Sequence, residues 1–195
     1  AKNEGKVLTH QFLLKEISTV GLENISVSFY HKDAGLETAD SVNVEYFNGT
    51  SWVNIVTFTD GNEVNDSSSN AWVNFSQSLG GDADNLPVFA IRFVSTLDAA
   101  SDKFDLDAVS ITGDEIEEVD TEEPPVLVCN PEVNLIQNGS FEEPTITNPD
   151  LWDIFTTVPG WQIDWVNNHE STPSLEFQGG WLPALGAQYA ELDGD

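Results

Sequence analysis

Carboxylates are the groups of this chain whose number and spacing most readily suggest chemistry. The 195 residues include 34 Asp and Glu but only six Lys and Arg, and the formal net charge is −28. Ca²⁺ binds six to eight oxygen ligands, mainly carboxylates and carbonyls, so this composition suits a protein that binds divalent cations. The acidic stretch 80–85 alternates like a calcium loop, but it lacks the glycine and the distal glutamate of an EF-hand. We therefore expect a solvated turn there.

Aromatic side chains among amides are the second candidate chemistry, because sugars stack on aromatic rings and bond to amides and carboxylates. We expect Trp181 to be the main platform, since Gly179-Gly180 and Pro183 place it in a loop. Tryptophan in a small β domain is more often core than platform, so we expect Trp161 and Tyr189 to be structural. Further ligand-binding candidates are Trp165, Asn168 and Gln178.

Catalytic chemistry finds little support in the sequence. The three histidines are His10, His31 and His169, and no nucleophile elbow, phosphate-binding glycine loop or zinc-type cluster accompanies them. Two carboxylates could serve a glycosidase, but no pair stands out among so many. Cys129 is the only cysteine, so no intrachain disulfide can form. We expect a protein that is not an enzyme.

The charge and the apolar pattern also exclude classes of partner. A field this negative repels phosphate backbones and anionic headgroups, so we expect no nucleic-acid binding. No run of about 18 apolar residues occurs, and we expect no insertion into a membrane.

The elements that must position these side chains are short strands. Residues 25–29 and 42–46 alternate between apolar and polar side chains, which indicates half-buried strands. Asn48-Gly49 separates the second run from residues 52–56 and predicts a hairpin. Six or seven such strands without a helix predict an all-β protein, an antiparallel β-sandwich or jelly roll.

The composition divides the chain into three parts. Residues 1–113 carry most of the predicted strands, and residues 114–131 form an acidic linker with a proline pair. Residues 132–195 hold four of the six tryptophans, yet so short a segment cannot bury a sandwich core of its own well.

Three motifs of the last part carry a family resemblance: Asn138-Gly139-Ser140-Phe141-Glu142, then Val158-Pro159-Gly160-Trp161, then Gly186-Ala187-Gln188-Tyr189-Ala190-Glu191-Leu192-Asp193. In this order they resemble the opening half of galactose-binding-like jelly rolls, above all the cell-wall-associated domain-of-unknown-function family 642 and bacterial extracellular adhesin modules. Residues 104–111 resemble the final strand of such domains, and residues 7–14 resemble the strand that follows the opening half.

The resemblance implies that residues 1–113 lack opening strands and that residues 132–195 lack a continuation. The two parts could complete one sandwich, within the chain or between two chains as a strand-swapped homodimer. Alternatively, the chain is a window across two tandem modules. We favour completion, because an unpaired sheet edge invites pairing.

Jelly rolls of this kind commonly hold a structural calcium between the loop after the first strand and the last strand. By resemblance, Asp107 and Glu142 are the expected calcium ligands and Asp105 is a weaker candidate. The function that follows is that of a calcium-stabilised module of a secreted bacterial adhesin or polysaccharide-active protein, which binds a polysaccharide or cell-surface glycan. The alternative is a purely structural spacer of a calcium-dependent adhesin.

Overall fold

The fold consists of strands. The computed structural model describes residues 9–60, 71–97, 101–116, 134–148, 150–165, 172–180 and 182–193. Within them the chain forms one 3₁₀ turn, Gly81–Ala83, and no α-helix. The eleven strands are β1 (Thr9–Ile17), β2 (Leu22–Ala34), β3 (Ser41–Phe47), β4 (Trp52–Phe58), β5 (Val73–Ser78), β6 (Phe89–Leu97), β7 (Lys103–Glu115), β8 (Trp152–Phe155), β9 (Gln162–Trp165), β10 (Leu175–Gln178) and β11 (Tyr189–Asp193).

The strands form two sheets that pack against each other. The five-stranded sheet has the order β4-β3-β6-β1-β9, and the six-stranded sheet has the order β5-β2-β7-β11-β10-β8. Every pairing between neighbours is antiparallel. The predicted all-β antiparallel sandwich is confirmed. None of the described segments forms a helix that is long and apolar enough to span a lipid bilayer.

The predicted hairpin joins β3 to β4. The backbone N–H of Asn48 donates to the carbonyl of Ser51 at 3.1 Å. The side-chain oxygen of Asn48 accepts bonds from the backbone N–H groups of Thr50, at 3.1 Å, and Ser51, at 2.9 Å. Asparagine thus closes the turn with its backbone and its side chain together.

The predicted alternation in β2 decides which side chains enter the core. Ile25, Val27 and Phe29 are fully buried, whereas Ser26 and Ser28 lie between them on the outer face. The ring of Phe29 lies 5.2 Å from the ring of Phe93 in the opposite sheet. Apolar contact between the two inner faces therefore holds the sheets together.

The last part of the chain completes both sheets. β9 pairs with β1 in the five-stranded sheet, and β11 pairs with β7 in the six-stranded sheet. Phe141, Trp161 and Phe177 from this part belong to the same buried core as Phe29. The two segments on either side of the predicted linker therefore form one sandwich within one chain.

β7 continues beyond the residue at which the sequence predicts a boundary. Asp114 and Glu115 belong to β7, and the side-chain amide of Asn24 donates to Asp114 Oδ2 at 3.1 Å. The rest of the predicted linker, with Cys129, lies outside the described residues.

The acidic stretch 80–85 serves the fold. Asp82 Oδ1 accepts a 2.7 Å bond from the hydroxyl of Tyr46, and Asp82 Oδ2 accepts a 3.2 Å bond from the side-chain amide of Asn48. Asn85 Oδ1 accepts the backbone N–H of Gly21 at 2.9 Å. These bonds fasten the loop after β5 to the hairpin and to the start of β2.

Candidate functional site

A bulge in β7 positions Asp107. The register between β2 and β7 shifts between Ser28 and Tyr30, and Ala108 has a φ of 50°. Asp107 lies opposite Tyr30 on the outer face and is fully buried. Its Oδ1 accepts the backbone N–H of Ala108 at 2.6 Å, and its Oδ2 accepts that of Leu185 at 2.8 Å. The bulge thus turns the Asp107 carboxylate towards the loop before β11.

The first family motif brings Glu142 to the same loop. Gly139 lies so close to β7 that a Cβ on it would stand 2.0 Å from the carbonyl oxygen of Val109. Its own carbonyl accepts the backbone N–H of Val109 at 2.8 Å. Three residues later, Glu142 Oε1 accepts the backbone N–H groups of Ala187, at 2.9 Å, and Gln188, at 3.4 Å.

Residues 184–188, which we call the anchor loop, connect the two acids. Asp107 bonds to one end of the anchor loop and Glu142 to the other. Gln188 adds a third attachment, since its side-chain amide donates to the carbonyls of Phe141 and Pro144 at 2.7 Å each. β7, the segment after Gly139 and the start of β11 therefore meet at one place.

This place concentrates negative charge. Burial is the main reason that the pKa of Asp107 is raised to about 6, and the charge of Glu142 acts in the same direction. Hydrogen bonds from backbone amides oppose the shift. Neither carboxylate forms an ion pair with a basic side chain of the described residues. The buried carboxylate of Asp107 thus lies in the field of the half-buried Glu142, and a cation would relieve the repulsion between the two charges.

Asp105, the weaker calcium candidate, has a different partner. Its Oδ2 lies 2.8 Å from Lys32 Nζ in a buried ion pair. Burial raises the pKa of Asp105 to about 7, Lys32 opposes that rise, and the charge of Glu191 adds to it. Lys32 Nζ also lies over the rings of Trp72, at 4.9 Å, and Tyr189, at 4.6 Å. The structure therefore places Asp105 in a separate ion cluster beside the Asp107–Glu142 pair.

The donor chemistry of the Asp107–Glu142 pair suits a hard cation. Within the described residues no group of three or more His, Cys, Asp or Glu side chains is placed to hold a metal ion. A cation at Asp107 and Glu142 would therefore take its other ligands from backbone carbonyls or water. Calcium accepts such a mixed set of oxygen ligands, whereas zinc sites use histidine and cysteine.

The predicted ligand-binding residues divide between the two sheets. Gln178 lies on the outer face of β10, half-buried, and donates from Nε2 to Glu176 Oε1. Trp165 ends β9 of the other sheet, and its side chain lies outside the described residues. Trp181 and Asn168 lie outside the described residues entirely. Gln178 and Trp165 therefore belong to different sheets and do not share a sheet face.

The fold buries some aromatic side chains and exposes others. Trp161 is buried and stacks on Phe141 with ring centroids 5.2 Å apart, and Tyr189 is 1% exposed. Both are structural, as predicted. Two aromatic side chains that the sequence does not predict to be binding platforms are exposed instead, namely Trp152 at 39% and Tyr30 at 37%. Trp152 pairs with Gln178 on the outer face of the six-stranded sheet.

A signal for Trp152 was present in the sequence. Trp152 and Ile154 alternate with Asp153 and Phe155, so β8 carries apolar side chains towards both faces. Trp152 and Ile154 are both exposed on the outward face of this edge strand, which makes the strand a candidate contact surface. No family model matches this chain, and a search of curated proteins finds no significantly similar one.

Proposed function

We propose that this chain is a non-catalytic module of a secreted bacterial adhesin or polysaccharide-active protein, that calcium stabilises it, and that it binds a polysaccharide or cell-surface glycan. The observation that carries the proposal is the meeting of Asp107 and Glu142 at the anchor loop, because the two acids come from opposite sides of the predicted linker. The resemblance to galactose-binding-like jelly rolls supports the same reading.

Calcium at this place would be a structural ion. When bound, it would supply positive charge between two carboxylates whose repulsion otherwise opposes folding. The two acids also attach the anchor loop to the sandwich. Asp107 of β7 and Glu142 of the segment after Gly139 both accept hydrogen bonds from backbone amides of the anchor loop.

The histidine geometry supports a non-catalytic role. Among the described residues, His31 is the histidine whose side chain is placed, and it is fully buried between Phe29, Phe58 and Phe104. Burial lowers its pKa to about 4. A ring enclosed in this way has no access to a substrate in solution, so we assign it to the core.

The exposed outer face of β8 and β10 supports glycan binding. Trp152 offers an aromatic surface beside the amide of Gln178 and the carboxylate of Glu176, a combination that suits the apolar and hydroxyl faces of a sugar. Trp181, three residues beyond Gln178, stays a predicted platform.

Affinity electrophoresis tests this function. Native gels with dissolved agarose, arabinoxylan or pectin should retard the wild-type protein, and Trp152→Ala or Trp181→Ala should weaken the retardation by about threefold to tenfold. Trp161→Phe, a buried aromatic change, serves as the control. If none of the polysaccharides retards the wild-type protein, the glycan-binding proposal is wrong.

The spacer remains the second candidate, and one observation favours it. Asp107 is fully buried, so an ion at Asp107 would lie out of reach of a sugar and would act on the fold alone. A module that responds to calcium but is not retarded by any polysaccharide would be such a spacer.

A further inference from the structure

Six small hydroxyl side chains form a regular array on the outer face of the six-stranded sheet. Ser26 of β2 lies opposite Ser78 of β5 and Thr112 of β7. One step along the strands, Ser28 lies opposite Ser76 and Ser110. Directly opposed residues of neighbouring strands point to the same face, so the array has two rows of three hydroxyls. The array lies near one edge of this sheet, and Trp152 and Gln178 lie near the other edge.

The array forms the floor of a groove. The groove has a volume of about 590 Å³, and Asn24, Val27, Gly113 and Asp114 complete its lining. The hollow arises because side chains this short leave space that larger residues would fill. Its volume falls within the range of small-molecule sites.

Strand propensity does not account for the serines of this array. Serine is not among the residues enriched in strands, which are β-branched or aromatic, yet five of the six positions are serine. Ser26 Oγ and Ser78 Oγ lie 3.1 Å apart and bond to each other. Within the described residues the hydroxyls of Ser28, Ser76, Ser110 and Thr112 form no hydrogen bond, so their donors and acceptors are available to a ligand.

The chemistry of the lining selects a neutral, hydroxyl-rich ligand. A hydroxyl both donates and accepts, which matches the neighbouring hydroxyls of a sugar. Among the described residues that line the groove none is basic and one, Asp114, is acidic, and the net charge of the chain is −28. These charges disfavour phosphates and uronic acids. Tyr30, 37% exposed, follows Ser28 on the same face of β2 and offers a ring against which a sugar can stack.

We propose that this hydroxyl groove binds a neutral polysaccharide chain, at a place separate from Trp152 and Gln178. The inference rests on the proposed glycan-binding function and names for it a second contact area and a class of ligand. The hydrogen bonds involved are uncharged, so binding in the groove should depend little on salt.

Two groove variants test the inference. The double variant Ser28→Ala, Ser110→Ala removes two hydroxyls from the groove and should weaken binding of arabinoxylan roughly tenfold. Ser28→Tyr fills the groove and should abolish its contribution. Ser41→Ala and Ser41→Tyr are matched controls, because Ser41 is a half-buried serine in β3 of the other sheet. A thermal melt of each variant verifies that it is folded.

The readout is affinity electrophoresis of wild type, variants and controls in arabinoxylan, agarose and pectin, with and without added salt. The groove variants should weaken binding of a neutral chain by the same factor in a Trp152→Ala background, since distant sites contribute additively.

If wild type binds a neutral chain and the folded groove variants bind it equally well, the groove inference is wrong while the proposed function stands. Stronger retardation by pectin than by the neutral chains would also overturn it. If no polysaccharide retards wild type, both proposals fail.

Discussion

At the scale of single residues, Gly186 shows how tightly the anchor loop fits around Glu142. A Cβ on Gly186 would stand 1.9 Å from Glu142 Oε1, and the residue has a φ of 79°, a region that other residues adopt at a cost. Any side chain at this position must displace the carboxylate that holds the loop.

We therefore expect Gly186→Ala to lower the free energy of unfolding by more than the backbone cost alone. Gly21→Ala is the matched control, because Gly21 also has a φ of 79° but its Cβ would meet no atom of the described segments within 4 Å. The control should lose about 1 kcal/mol, and Gly186→Ala should lose clearly more in urea denaturation. Equal losses would show that the contact with Glu142 is unimportant.

The residue scale also accounts for a pH dependence of stability. Both ring nitrogens of His31 are buried and have no hydrogen-bond partner among the described residues, and Asp33 Oδ1 lies 3.8 Å from Nδ1, beyond hydrogen-bond distance. Burial lowers the pKa of His31 from 6.5 to about 4. The unfolded chain therefore binds this proton more tightly than the folded one.

The sign of the effect follows from that difference. Above pH 6.5 His31 is neutral in both the folded and the unfolded chain and does not reduce stability. As the pH falls from 6.5 towards 4, protonation of His31 in the unfolded chain lowers the free energy of unfolding by about 3 kcal/mol. His31→Phe keeps a ring against Phe58 and Phe104 but cannot titrate. Urea denaturation at a series of pH values should show a smaller loss of stability for His31→Phe over this range. Parallel curves for the two proteins would contradict the assignment.

At the scale of elements, the sequence predicts strands and faces better than partners. The alternation around Ile25 and Val27 predicts which side chains enter the core, and Asn48-Gly49 predicts the hairpin. Neither the bulge nor the sheet order could be predicted in this way. Ala108 has a positive φ, but it is neither glycine nor asparagine, the residues that would predict one. The neighbours of β9 and β11 depend on contacts between distant parts of the chain.

The candidate site, too, was predicted only in part from the sequence. The resemblance pointed to Asp107 and Glu142, and the structure brings both acids to the anchor loop. Gln188 and Trp152 were not singled out. The role of Gln188 depends on carbonyls of Phe141 and Pro144, which only the folded chain brings within reach. Trp152 could have been found, because its strand is apolar on both faces.

The interleaving of elements predicts the result of cutting the chain. β9 and β11 each pair with a strand from before the predicted linker, so the two segments should stay together after a protease site introduced within residues 117–131 is cleaved. The cleaved protein should elute as one species in native gel filtration and give two fragments in a denaturing gel. Separation of the fragments under native conditions would contradict the shared sandwich.

At the scale of the whole molecule, charge is the dominant feature. A net charge of −28 opposes compaction through self-repulsion, and the sandwich brings Asp107 and Glu142 to the same loop where its first and last parts join. Bound calcium is the device that we propose for stabilising this join. We expect its effect to be global, because the anchor loop, β7 and the segment after Gly139 all meet at Asp107 and Glu142.

The most direct measurement of this claim is the melting temperature in EDTA and in millimolar calcium for wild type, Glu142→Gln and the neighbouring control Glu143→Gln. Calcium at a hundredfold excess over its Kd contributes about 2.7 kcal/mol, which corresponds to a rise of roughly 5–10 °C for a domain of this size. We expect this rise for wild type and Glu143→Gln but not for Glu142→Gln. A wild-type melting temperature that does not change with calcium, or an equal rise in Glu142→Gln, would contradict it.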